Sequence, residues 1–238
     1  MMYDVVILAG GLGTRLRSVV SDVPKCMAPV GGRPFLDWIL KWTGLFDVNR
    51  IILSLGYMSN VVTDWIESEH RFSHVPIDWV IEETPLGTGG GIRLALSKTT
   101  TGHAVVLNGD TFFDVNLDAL SAYSETSCSP VTVALKPMTD FERYGSVILD
   151  GNGRITSFNE KGYCEKGLIN GGVYCIDTSC GLLTDKPEKF SFEKEVLEPL
   201  SGKGFLSGFV SDGAFIDIGI PEDWELAQTF IPSCIGIR

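Results

Sequence analysis

Apolar, β-rich runs alternate with stretches of helical spacing through the first half of the chain, and this alternation restricts the fold more than any other feature. YDVVILA, RIILSLGY, IDWVIEE and AVVLNGD read as strands, while FLDWILKWTGLF, NVVTDWIESEH and GIRLALSKT read as helices. That order predicts a mainly parallel sheet covered by helices on both faces. The strands are solidly apolar, as strands buried on both faces should be. After Asp110 the rhythm changes. VTVALKP, YGSVILDGNGRITSFNE, INGGVYCID and FLSGFVSDGAFIDIG are mostly strand-like, with DGNGR as a hairpin signal. FSFEKEVLEPL and PEDWELAQTF read as helices, and Pro221 suits a first helical position. No linker, repeat or low-complexity segment divides the chain. Its 238 residues therefore read as one α/β domain whose second half adds mixed strands.

In open α/β sheets, ligands bind at the carboxyl ends of the strands. The polar punctuation of this sequence falls at those ends: GGLGTR after the first strand, EETPLGTGGG after the third and NGD after the fourth, with NEK, NGG and DIG after later ones. The clustering predicts one site assembled from several loops.

Composition narrows what such a site takes. The formal net charge of -11 disfavours nucleic acid, whose phosphate backbone needs a basic face. Positive charge is concentrated locally instead, at Arg15, Arg17, Lys25 and Arg33. Six cysteines, at positions 26, 128, 164, 175, 180 and 234, form no C-x-x-C pair and read as reduced thiols. The start, MMYDVVILAGG, has no basic region and too short an apolar run for a signal peptide, and no stretch approaches a membrane span. These features predict a cytoplasmic protein. The apolar tail PSCIGIR reads either as an oligomer contact, for a homodimer, or as a disordered end.

The glycine turn excludes two common nucleotide sites. A dinucleotide fingerprint starting at Gly11 and Gly13 would need a third glycine where Leu16 stands, and RIILSLGY ends without an acid for a ribose. A P-loop would need G-K-[ST] after the glycines, which is absent. What remains is a turn whose backbone amides can approach phosphate oxygens. Arg15 adds a fork of donors and Lys25 a mobile point charge. A tight surface turn with solvated charges would look the same in isolation. Asp110 of NGD and Asp217 of FIDIG shift the balance, since two carboxylates at neighbouring strand ends suit magnesium, which favours a few carboxylates plus phosphate and water. Either Asp alone would read as a turn or helix cap.

Taken in order, LAGGLGTRLR, Pro24-Lys25, PLGTGGG, NGD, NEK, NGGVY and DIG resemble the sugar-1-phosphate nucleotidylyltransferases over nearly the whole chain. The resemblance implies a Rossmann-like nucleotidyl-diphospho-sugar transferase fold. It also implies a reaction in which a sugar 1-phosphate oxygen attacks the α-phosphorus of a nucleoside triphosphate and pyrophosphate leaves. Such a transfer needs positioning and charge neutralisation more than a protein nucleophile. The expected division has a nucleotide-binding half at about residues 1–115 and a sugar-binding half at about 116–238. Leu8, Ala9, Gly10, Gly11, Gly13 and Thr14 would form the triphosphate turn, with Asn108 and Gly109 beside it. Arg15 and Lys25 would act on the reacting phosphates, and Asp110 and Asp217 would hold Mg2+. Tyr144, Gly145, Glu160, Lys161, Asn170 and Gly171 match the family's sugar positions. One departure stands out: the family usually has proline where this chain has Cys26. Losing it frees a backbone torsion beside Lys25, with looser lysine placement or a thiol exposed near phosphate as the expected consequence.

Glu82, Glu83, Pro85, Gly87 and Thr88 fall in the stretch that contacts the base. A carboxylate can accept from guanine's N1 and exocyclic amine together, so Glu82 or Glu83 could select guanine. Both acids could equally just end a strand. The E-x-x-P-L-G-T pattern looks like the guanylyltransferase branch, which predicts GTP and a sugar 1-phosphate as substrates. The chain most resembles the short D-glycero-D-manno-heptose-1-phosphate guanylyltransferases of surface-polysaccharide synthesis. The alternatives are a mannose-1-phosphate guanylyltransferase, a uridylyltransferase on a hexose or muramic acid 1-phosphate, and a nucleotide-sugar sensor that has kept the fold without catalysis.

Overall fold

The computed structural model describes residues 2–11, 13, 16, 19–20, 22–69 and 74–235. The first half runs β1 (Tyr3–Leu8), the short hairpin β2 (Pro29–Val30) and β3 (Arg33–Pro34), α1 (Phe35–Thr43), β4 (Val48–Leu55), α2 (Ser59–Ser68), β5 (Ile77–Ile81), α3 (Gly87–Leu96) and β6 (His103–Asn108). The second half runs β7 (Thr111–Phe113), α4 (Leu117–Ser127), β8 (Val131–Phe141), β9 (Gly145–Leu149), β10 (Ile155–Lys161) and β11 (Cys164–Asp177). A π-helical turn, Glu193–Leu197, leads into α5 (Glu198–Leu200), followed by β12 (Leu206–Val210), β13 (Phe215–Asp217) and α6 (Pro221–Ile235).

Strands β5, β4, β1 and β6 lie side by side in that order and all parallel. The chain thus winds outward from β1 through β4 to β5, then returns to place β6 on the other flank of β1. That reversal opens a crevice between the carboxyl ends of β1 and β6, where open α/β sheets bind their ligands. Strand β11 extends the sheet antiparallel to β6, and β8 and β9 both pair with β11. DGNGR makes the expected hairpin between β9 and β10.

Alternation along β1 sorts the core. Tyr3, Val5 and Ile7 face a cluster that includes α1 and α6 residues, while Val6 faces a cluster with Ile92 of α3, Phe190 and Val196. Both faces of the sheet are therefore covered around β1, which explains why that strand is apolar at all but one position. The exception in β1 is Asp4, fully buried, whose carboxylate accepts from the backbone N–H groups of Thr100 and Thr101 and from Asn49 Nδ2. These bonds tie the start of β1 to the loop before β6 and offset the cost of burying the charge. Among the described residues no helix is long and apolar enough to cross a membrane.

Candidate active site

The catalytic lysine of the sequence reading sits on a single 3-10 turn, Lys25–Met27, entered from the extended Pro24. Its side chain is only 12% exposed. Gly13 packs on the lysine stem with a left-handed φ of 57°. A Cβ there would stand 2.9 Å from the Lys25 Cβ, so only glycine lets the turn close over the stem. Cys26 does not loosen this arrangement or expose a thiol. The residue is buried, its Sγ approaches the Ala9 carbonyl oxygen at 3.7 Å, and burial pushes its pKa up to about 12. The turn keeps its shape through backbone bonds from Met27 N–H to the Pro24 carbonyl and from Ala28 N–H to the Lys25 carbonyl.

Asp110 and Asp217, 107 positions apart in sequence, meet because β7 and β13 form a two-stranded antiparallel ribbon. Thr111 pairs with Asp217 in that ribbon, and Ile218 N–H donates to the Asp110 carbonyl at 3.0 Å. The Lys25 Nζ lies 2.6 Å from Asp110 Oδ2 and 3.8 Å from Asp217 Oδ1. Burial raises the Asp217 pKa, and the neighbouring Asp110 charge raises it further. Lys25 and the Gly219 N–H, which donates to Asp217 Oδ1 at 2.7 Å, act in the opposite sense. Two carboxylates that repel each other at the edge of solvent suit a divalent cation that also takes phosphate oxygens and water. No group of three or more ligating side chains occurs among the described residues.

Two cavities share Lys25 and Asp110 in their walls. The first, about 280 Å³, is lined by Leu8, Ala9, Gly10, Gly11, Glu82, Pro85, Gly87, Thr88, Asn108 and Gly109, with Cys26 alongside. It occupies the crevice between β1 and β6. Gly109 permits the close approach of those strand ends, since a Cβ there would stand 2.3 Å from the Leu8 carbonyl oxygen. The second, about 180 Å³, adds Asp217, Tyr144, Lys161, Arg143, Asp223, Gly219 and Ile220. A larger cavity of about 730 Å³ beside α1 holds none of the motif residues, so volume alone does not mark the site.

The two acids offered for the base part company here. Glu82 lines the first cavity; Glu83 is exposed and does not. Glu82 Oε2 accepts from the Leu86 N–H at 2.9 Å, and Oε1 accepts from the Ser54 hydroxyl at 3.2 Å. The carboxylate is thus oriented by its own loop and by β4. Thr88 lines the same cavity, but its hydroxyl donates to Glu193 Oε2 at 2.7 Å and accepts from Phe192 N–H at 2.9 Å. The helix α3 begins at Gly87, earlier than the GIRLALSKT reading, and therefore contains the GTGGG glycines. Those glycines admit a segment from far along the chain: Gly89 N–H donates to the Phe190 carbonyl, and Phe190 N–H donates to the Leu86 carbonyl.

Of the sugar positions, Tyr144 and Lys161 reach the second cavity, whereas Gly145, Glu160, Asn170 and Gly171 do not line it. Asn170 shapes an irregularity in β11 instead, accepting from Gly172 N–H and donating to the Tyr174 hydroxyl. Thr14 and Arg15 lie outside the described residues, as do residues 236–238 of the tail offered as an oligomer contact. The sequence reading passed over Arg143 and Asp223, whose side chains meet across the second cavity. The only signal for Arg143 was its place next to Tyr144.

A family model described as nucleotidyl transferase matches residues 4–233. A D-glycero-alpha-D-manno-heptose 1-phosphate guanylyltransferase of Aneurinibacillus thermoaerophilus is 44% identical over 225 residues, covering 94% of this chain and 96% of that protein. A mannose-1-phosphate guanylyltransferase of Mycobacterium tuberculosis is 32% identical, covering 97% of this chain but 66% of its own length. The crystal structure of HddC from Yersinia pseudotuberculosis complexed with GMP-PN superposes with a TM-score of 0.83 at 39% identity, covering 95% of this chain and 98% of that one. With the family match spanning nearly the whole length, and with full-length relatives above 40% identity, the chain belongs to the nucleotidyl transferase family of enzymes and is similar to its sugar-1-phosphate guanylyltransferases.

Proposed function

We propose that the chain is one catalytic domain that joins GTP to D-glycero-α-D-manno-heptose 1-phosphate, forming the GDP-sugar and pyrophosphate. The observation that carries this reading is Lys25 standing 2.6 Å from Asp110 at the junction of two cavities. GTP takes the cavity between β1 and β6, and the sugar phosphate takes the cavity beyond Lys25. The triphosphate is then bent over the lysine, with its α-phosphorus at the junction.

The chemistry follows from that placement. A phosphate oxygen of the sugar 1-phosphate attacks the α-phosphorus and forms the new P–O bond. The bond from the α-phosphorus to the bridging oxygen breaks, and its electron pair leaves with pyrophosphate. The attacking oxygen is already anionic, so no general base is required. Lys25, whose side chain is only 12% exposed, neutralises charge building on the non-bridging oxygens. Arg15 is assigned to the departing pyrophosphate, and the backbone amides of Gly10, Gly11 and Gly13 to the triphosphate. Asp110 and Asp217 would hold magnesium, which when bound supplies positive charge against the α-phosphate.

Glu82 is the residue we assign to guanine. Each carboxylate oxygen can accept more than one hydrogen bond, so those from Leu86 and Ser54 leave acceptor capacity for two donors on the base. The heptose assignment is supported by the 44% identical relative, whose length this chain nearly matches. A pyrophosphate-release assay tests the whole reading. It crosses GTP, ATP, UTP, CTP and dTTP with heptose, mannose, glucose and N-acetylglucosamine 1-phosphates in the presence of magnesium. Release is expected with GTP and the heptose phosphate. Release with mannose 1-phosphate alone would replace the sugar, release with UTP would remove the base assignment, and silence from folded protein would sink the enzymatic reading.

A further inference from the structure

The second cavity holds a cation that the motifs do not explain. Arg143, in the connection between β8 and β9, lines it beside Lys25, Lys161 and Tyr144. Its Nη2 donates to Asp223 Oδ2 at 2.5 Å, and Asp223 stands in the first turn of α6. The same nitrogen is 3.4 Å from the Tyr144 hydroxyl, and the guanidinium carbon lies 5.6 Å from the centre of that ring. Tyr144 packs edge-on against Phe215, at 5.8 Å, in the short strand that carries Asp217. Three separate elements therefore set the position of one guanidinium. Among the described residues, its Nε and Nη1 make no hydrogen bond.

The charges around the cavity sharpen the point. Asp110, Asp217 and Asp223 stand against Lys25, Lys161 and Arg143, three acids against three bases. A sugar phosphate dianion is therefore not drawn in by net charge. It needs a placed, directional donor. Lys25 is already committed to Asp110; Lys161, which the family resemblance assigns to the sugar phosphate, also lines the cavity but brings only a mobile point charge from the exposed end of β10. A guanidinium tethered through Nη2 keeps its Nε–H and Nη1–H donors, fixed in direction, for phosphate oxygens, which a lysine ammonium on its flexible stem does not offer.

We propose that Arg143 grips the phosphate of the incoming sugar 1-phosphate, and that Asp223 holds it in position to do so. This deepens the reading above and rests on the sugar phosphate occupying the second cavity. Arg143 touches substrate; Asp223 acts through it as a positioning residue. The arrangement costs little ordering on binding, because the long arginine side chain is already held.

Steady-state kinetics with each substrate varied in turn, alongside calorimetry, tests it. Arg143→Ala should raise KM for the heptose phosphate about tenfold or more, leaving KM for GTP within about twofold. Arg143→Lys should recover part of the loss, because it keeps charge but not the fork. Asp223→Asn should raise the sugar-phosphate KM by a smaller factor, about threefold. Circular dichroism and the thermal midpoint confirm that each variant is folded. An unchanged sugar-phosphate KM in Arg143→Ala, or an equal rise for both substrates, would overturn the proposal. A lower KM in Asp223→Asn would make Asp223 a competitor for the arginine and overturn its holding role. Calorimetric titration with mannose 1-phosphate and with free mannose reads the same contact without turnover. The wild type should prefer the phosphorylated sugar, and Arg143→Ala should lose most of that preference; a preference kept intact overturns the proposal even if the activity grid is silent.

Discussion

The two cavities that meet at Lys25 are built by different means. The first is made where parallel strands end: the glycine turn after β1, Glu82 after β5, and Asn108 and Gly109 at the end of β6. Apart from Lys25 and Cys26, its residues come in short runs, each at the carboxyl end of a strand of the parallel sheet. The second is made from parts with no common origin: a ribbon of two three-residue strands, a connection after β8, the end of β10 and the first turn of α6. The first depends on backbone closeness, which glycine supplies. The second depends on ion pairs between distant side chains. The difference teaches that two adjoining cavities can be built in unlike ways, one from motif-encoded strand ends and one from side chains held together by charge.

The largest effect should come from the residue that both halves share. Lys25→Ala should lower kcat about a hundredfold or more in the pyrophosphate-release assay, the scale of losing one charge-stabilising donor. Circular dichroism should show the fold intact. A loss below tenfold would mean the two cavities do not share one reacting centre. Gly109→Ala probes the backbone closeness of the first half. Its methyl group meets the Leu8 carbonyl oxygen, so a stability loss of about 1–3 kcal/mol is expected. For a chain of this size that is a drop of several degrees in thermal midpoint, about 2–4 °C per kcal/mol, measurable by calorimetry. An unchanged midpoint would show that the strand ends have room to part.

Base selection should respond less, and unequally. Glu82→Gln should cut the preference for GTP over ATP and UTP about tenfold in kcat/KM, the worth of one hydrogen-bonding mismatch. Glu83→Gln should leave the preference unchanged, because Glu83 is exposed and away from the cavity wall. Equal effects from the two would remove the distinction the structure draws between neighbouring acids.

The smallest effect is on stability, and it depends on pH. Burial and the Asp110 charge raise the Asp217 pKa above the 3.8 of a free side chain. The native state thus holds this proton to a higher pH than the unfolded chain does, and stability falls as pH rises between the two values. Ionised Asp217 remains a cost at neutral pH. Asp217→Asn should therefore raise the metal-free thermal midpoint slightly near pH 7, with the gain vanishing below pH 3.8. The same variant should weaken the magnesium dependence of activity. A lower midpoint at neutral pH would show that attraction to Lys25 outweighs the repulsion from Asp110.

Much of the first cavity was legible in the chain because its chemistry is local. An apolar strand followed by a glycine turn is a continuous stretch, and both the parallel sheet and the crevice follow from its repetition. Lys25 could be named as a charge in a cationic turn, and Asp110 as an acid past a buried strand. The sequence could not choose between Glu82 and Glu83, because neighbouring side chains differ only in the direction they leave the loop. It could not show that the GTGGG glycines receive the Phe190 segment, which is about a hundred positions away. It suggested a loosened lysine beside Cys26, and the packing of that thiol against Ala9 decided otherwise.

The sequence by itself determined the alternation of strands and helices in the first half, the parallel part of the sheet, and the residue types gathered at its carboxyl edge, but not α4 or the short strands β2, β3 and β7. Hydrophobic periodicity and glycine geometry are properties of short segments, and they survive without knowledge of what packs where. Only the tertiary structure decided which carboxylates face each other across Lys25, which acid lines the first cavity, and that Arg143 and Asp223 meet. Those are distances between side chains on separate elements, set by strand register and by the turn of a helix, and no segment contains them alone.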